Sequence, residues 1–165
     1  MALETSKDLF LYELAEVRDV ERSGGLLLGM LVGKRVQNSD LEQVLHAHAQ
    51  DSKRQLENID RCLQALGVSP LDTRSATVEG IRGGFEEFLM AQPSPEVQDL
   101  FAIDTAMRFV QLAVASYKSL VNWAVLMGES RCTQSLLANL VEKEKSAGKL
   151  ERIGHEMGER LLVAA

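Results

Sequence analysis

Phe10, Leu14, Val17, Glu21, Gly24, Leu28 and Leu31 recur at alternating intervals of four and three residues. Only an α-helix gathers such positions onto one face, and a stripe of this kind must pack against other helices. Further segments repeat the pattern. Residues 39–66 carry Leu41, Leu45, His48, Ser52, Gln55, Ile59, Cys62 and Leu66, widened by Val44, Leu56 and Leu63. Residues 97–127 carry Met107, Val110, Val114, Tyr117, Val121 and Ala124. Residues 130–162 carry Leu136, Leu137, Leu140, Val141, Ala147, Leu150, Ile153, Met157 and Leu161. Such stripes commit the chain to burying long helices against one another.

The punctuation between the stripes sets their order in space. Thr5 or Ser6 is placed to accept from the free N–H groups that open the first helix. Ser39 with Glu42 reads as a capping box for the second, and Gly67 as the residue that closes it. Pro95, with Glu96 and Asp99 after it, opens the third long helix, and Gly128 ends it. Gly24-Gly25 predicts either a bend or the close approach of another helix. Gly148, Gly154 and Gly158 predict fraying or bending late in the last helix. Residues 33–38 form a short polar connection, so the first two helices are expected to be antiparallel neighbours. Between Ser69-Pro70 and Pro93-Ser94-Pro95 lies a weaker amphipathic segment, residues 76–90, with Val78, Ile81, Phe85, Phe88 and Leu89 on one face. Two short-linked helix pairs joined by a long crossover give an all-α, ferritin-like four-helix bundle, with a short extra helix in the crossover between the second and third long helices. The 165 residues suit one such domain, spanning 1–165.

The formal net charge of −6 argues against nucleic acid and anionic membrane surfaces as partners. Basic pairs such as Lys34-Arg35, and Lys143 with Lys145, are short and mixed with acids. Residues 24–32 are the most apolar run, too short to span a bilayer, and are expected to be buried. The first residues are acidic and polar, with no basic region leading into an apolar one, so a cytoplasmic location is expected. Cys62 and Cys132 stand outside any CxxC pair. They are expected to be core residues rather than a disulfide framework.

Metal-binding bundles draw one acid from each of two helices and a Glu-x-x-His from each of the other two. Neither Glu-x-x-His is present. The third long helix has its only carboxylates, Asp99 and Asp104, near its start. His46 and His48 diverge, and His155-Glu156 lies near the end of the last helix. Glu21 is the acid that the first stripe turns inward, where a carboxylate requires a metal, a cation or hydrogen-bond donors. Glu21, His48, Asp51 and Glu144 are therefore the metal candidates, for a residual single ion ahead of a dinuclear site. Arg, Gln or Tyr donors are the expected partners of Glu21, with Arg108, Gln111, Lys118 and Asn122 of the third long helix as possible sources. The paired glycines lack the strand–turn–helix setting and lysine of a phosphate loop. Ser130-Arg131-Cys132 has no base beside it in sequence. No catalytic residue and no cofactor are assigned.

The run DLFLYELAEVRDVE, residues 8–21, resembles the opening of the bacterial YciE/YciF stress-protein family, whose pattern is D-L-F-x-x-E-L-x-D-x-Y-x-A-E. Leu56-Glu57-Asn58-Ile59 through Leu66-Gly67 is similar to the end of that family's second helix. Leu126-Met127-Gly128 and the segment from Glu142 to Ala147 match it in placement. The resemblance covers essentially the whole chain. It implies a dimeric ferritin-like bundle associated with bacterial stress, with Glu21 at the first-helix metal-ligand position and Asp51 as a second-helix acid. Gln55 then stands at a histidine position, Val110 and Ala113 at glutamate positions and Gly148 at an aspartate position, while Glu144 is retained. The expected function is that of a non-catalytic bundle acting through homodimerisation or a protein partner. The alternatives are an iron- or manganese-dependent oxidase or peroxide-handling protein, and a scaffold or cargo component of a bacterial assembly.

Overall fold

The computed structural model describes residues 3–32, 36–70 and 73–164. They form α1 (Ser6–Leu31), α2 (Ser39–Ala65), α3 (Ala76–Met90), α4 (Pro95–Leu126) and α5 (Ser130–Ala164), with no strand among the described residues. Lys34 and Arg35 lie outside them.

Cross-links between elements fix the topology. Arg18 of α1 pairs with Asp60 of α2, and Gly25 faces Ser52, so these two helices are antiparallel. The Tyr117–Asn139 pair and the approach of Ile103 to Gly154 make α4 and α5 antiparallel. Asn58–Asn139 and Ser52–Lys143 do the same for α2 and α5, and Glu13–Ser119 with Gly24–Phe109 for α1 and α4. Going round the core, the order is α1, α2, α5, α4. Helices α2 and α4 are thus parallel and diagonal, and their connection has to run the length of the bundle. That connection contains α3, which packs on α4 and α1. Phe88 of α3 stacks on Phe101 of α4 at 3.9 Å, and Arg108 lies over the same ring at 5.1 Å.

Every residue of the α1 stripe is buried, and α2 buries its stripe from Leu41 to Cys62, with Leu66 half-buried at the C-cap. In the apolar run that ends α1, Leu27, Leu28 and Leu31 are buried as expected, but Leu26 faces outward. Thr5 caps α1 in a reciprocal box with Asp8. The start of α2 differs from expectation: its cap is Asn38, whose Oδ1 accepts from Asp40 N and Leu41 N at 3.0 Å each. Asn38 reaches the donors that the Ser39 hydroxyl was expected to take, so Ser39 becomes the first helical residue. Gly67 and Gly128 take positive φ of 68° and 72°. In that left-handed conformation a helix closes without a Cβ penalty.

Helix α1 runs on through Gly24 without a break. A Cβ there would overlap the ring of Phe109, so the missing side chain is what admits that ring of α4. Helix α5 also runs unbroken through its glycines. Its inward register corrects the expected stripe: Leu137 and Val141 are exposed, and Asn139 and Lys143 turn inward instead. On α4, Met107 and Val121 are half-buried, while Phe109, Ala113 and Leu120 fill the core. The two cysteines are core residues as expected, but they also form the disulfide Cys62–Cys132, which ties the end of α2 to the start of α5 across 70 residues. The antiparallel α2–α5 packing brings together what the sequence holds far apart.

Buried acids perform structural work at two helix starts. Asp99 of α4 accepts from Gln37 N at 3.0 Å and Asn38 N at 2.7 Å, fixing the approach to α2. Asp19 of α1 accepts from Ser75 N at 2.6 Å, at the cap of α3, and is paired with Arg22.

Candidate functional site

The middle of the bundle is polar. Glu21 is 1% exposed, and its two oxygens have different partners. The Tyr117 hydroxyl of α4 donates to Oε1 at 2.8 Å. The Lys143 ammonium of α5, on a residue 2% exposed, lies 2.8 Å from Oε2 and stabilises it as an ion pair rather than by an aligned hydrogen bond. Lys143 Nζ also approaches Ser52 Oγ at 3.4 Å and stands 4.6 Å from the centre of the Phe109 ring. The close approach of Phe109 to Gly24 thus serves the site as well as the packing: the ring offers its negative face to the buried cation.

A second layer holds Tyr117 in place. Asn139 Nδ2 donates to the Tyr117 hydroxyl at 3.1 Å and to the Gln55 carbonyl at 3.0 Å, while its Oδ1 accepts from Asn58 at 2.6 Å. Burial, then the facing Glu21 carboxylate, pushes the Tyr117 hydroxyl well above its ordinary pKa. It therefore stays protonated and remains a donor. Gln55 Nε2 donates to Glu142 at 3.2 Å. Each long helix contributes a member: Glu21, Gln55, Tyr117, and Asn139 with Lys143.

Of the metal candidates, only Glu21 belongs to this centre. His48 is buried on α2, but neither ring nitrogen has a hydrogen-bond partner among the described residues. Burial, then Lys143, pushes its imidazole down to about 4, so it is neutral at pH 7. Asp51 is one-third exposed and paired with Arg54. Glu144 points outward to Lys118 at 3.0 Å. The suggested donors of the third long helix are also elsewhere: Arg108 covers Phe101, Gln111 reaches Met107, and Lys118 holds Glu144. Tyrosine was an expected donor type. The lysine was missed, although counting inward by threes and fours from Cys132 through Leu136 and Asn139 reaches Lys143 and then Leu150.

These residues do not fit iron, manganese or zinc. An ion on Glu21 would compete with the Lys143 ammonium for the same carboxylate. Buried Val110 and Ala113 present no donor from α4, and Gln55, whose Nε2 is engaged with Glu142, offers only a neutral amide oxygen where a charged or imidazole ligand would be needed. Among the described residues, no three His, Cys, Asp or Glu side chains converge as a metal donor set.

Known proteins share this architecture. The crystal structure of the Escherichia coli stress protein YciF superposes with a TM-score of 0.90 at 23% identity, covering 95% of this chain and 99% of that one. YcfI of Rhodopseudomonas palustris gives 0.86 at 24% identity, over 90% of this chain and 94% of the other. In sequence, protein YciF of Escherichia coli K12 is 25% identical over 147 residues, 88% of this chain and 87% of its own length. Residues 5–161 match the family model described as domain of unknown function DUF892, and the chain belongs to that family.

Proposed function

We propose that this protein is a non-catalytic ferritin-like four-helix bundle of a bacterial stress response, acting through its surface as a homodimer or as a partner-binding module. One observation carries the reading: the ammonium of Lys143 sits on Glu21, the inward acid that a metal-binding bundle would use. A positive charge built into the chain stands against the carboxylate in the place an ion would take. The likeness to a stress protein supports the physiological setting.

An apolar groove of about 480 Å³ between α1 and α2 supports association. Gly25 and Gly29 leave it open, and Leu26 stands 74% exposed at its edge. Such an arrangement suits a second apolar surface.

Light scattering on purified protein tests the surface, with a dimer expected for the wild type and a monomer for Leu26→Glu. Oxygen uptake after addition of ferrous iron tests the centre. No uptake above the buffer rate is expected. Uptake that disappears in Glu21→Gln overturns the reading in favour of an oxidase.

A further inference from the structure

A separate cleft of about 370 Å³ opens between the first half of α2 and the last half of α5. Its volume lies within the range of about 300–1,000 Å³ typical of small-molecule sites. His48 lines it, 3% exposed, and both of its ring nitrogens lack a hydrogen-bond partner among the described residues. Native structures rarely leave a buried polar side chain so wholly unsatisfied unless water, an ion or a ligand completes it. Lys149, Arg152 and Arg160 line the same cleft, and none forms an ion pair or hydrogen bond with the described residues. Asp40 and Glu156 also stand on the walls and leave the cations in excess by one charge.

We infer that this cleft binds a small phosphorylated molecule, with Lys149, Arg152 and Arg160 holding the phosphate and His48 donating a hydrogen bond to it or to its organic part. Guanidinium groups match the oxygens of a phosphate in paired hydrogen bonds, and an ammonium adds a point charge. Val44 and Ile153 supply apolar wall for an organic moiety, and the cleft is larger than inorganic phosphate needs. The neutral imidazole has one N–H to give and one nitrogen to accept with, a combination a phosphate ester can use. A cation is the poorer occupant: Lys143 and Lys149 both act against positive charge at His48, with Asp51 alone acting the other way, and the cleft's cations outnumber its acids.

The test is calorimetric titration of the full chain at low salt, with inorganic phosphate and with adenosine monophosphate as the probes, and with His48 ring nitrogens followed by NMR. Saturable binding is expected, with His48 shifts that track occupancy. Arg152→Gln and Lys149→Gln, exposed positions whose loss leaves the core intact, are each expected to weaken it about tenfold. Glu156→Gln is expected to strengthen it by about twofold, a gain that a purely structural role would not give. Equal affinity for both probes makes free phosphate the occupant, and preference for the nucleotide makes it an organic phosphate. No saturation at millimolar concentrations of either probe overturns the inference. So does binding that is unchanged in Arg152→Gln, or that leaves His48 unmoved.

Discussion

Replacing Lys143 with methionine isolates the electrostatics of the bundle centre. Methionine keeps most of the unbranched stem that packs beside Phe109 and removes the ammonium 2.8 Å from Glu21 Oε2. Glu21 would remain buried with the Tyr117 hydroxyl on Oε1 as its neutral partner. Breaking a buried pair by removing one member costs about 3–5 kcal/mol, because the other charge is left uncompensated. For a chain of this length that is roughly a 10 °C fall in Tm, and a large part of the roughly 5–15 kcal/mol typical of a whole domain. Glu21→Gln should be similarly damaging, since it strands the ammonium. The double variant Glu21→Gln/Lys143→Met carries no stranded charge and should be more stable than either single one. Urea melts followed by circular dichroism at pH 7, with slopes unchanged between variants, give the four free energies of the cycle. The reasoning fails if Lys143→Met costs less than about 1 kcal/mol, the value of an exposed pair. It also fails if the double variant loses the sum of the two singles.

Three further outcomes follow from other parts of the structure. His48 has a folded pKa of about 4 against an ordinary value of 6.5, so between these pH values the unfolded chain takes up a proton that the folded chain does not. Stability should therefore fall as pH drops through that window, by about 3 kcal/mol in all, and the difference between wild type and His48→Gln across pH 4–7 should show that slope. A methyl group at Gly24 would run into Phe109. Gly24→Ala should therefore destabilise by about 1–3 kcal/mol, because the clash outweighs the roughly 1 kcal/mol gained in helix propensity. Thermal melts should show partial rescue of that variant by Phe109→Leu. The Cys62–Cys132 link closes 70 residues. Removing it should cost up to about 4 kcal/mol, read as the difference between oxidised and dithiothreitol-treated protein in urea.

Much of the architecture was legible because helix periodicity is a local property. The α1 stripe from Phe10 to Leu31 and most of the α2 stripe were readable from spacing alone. Gly67 and Gly128 marked helix ends because their backbone conformations favour glycine. Reading α5 from its apolar residues alone drew Leu137 and Val141 inward and left Asn139 and Lys143 outside, when the structure does the reverse. Lys143 sits in the run EKEK, which has the composition of a solvated face. Its burial is decided by Glu21, which reaches it from another helix. The same holds for Asp99, whose partners Gln37 and Asn38 are some sixty positions away, and for the two cysteines. Pairings of this kind are set by tertiary packing, and no spacing rule within one segment contains them.

The claim that a lysine fills the place of an ion can be tested by watching that lysine. NMR of 15N-lysine-labelled protein should show the Lys143 ammonium as a slowly exchanging signal that persists when stoichiometric Mn(II) is added. A signal bleached by Mn(II) in the wild type, with bleaching of neighbouring residues lost in Glu21→Gln, would mean that Glu21 holds a metal and that the account of the centre is wrong.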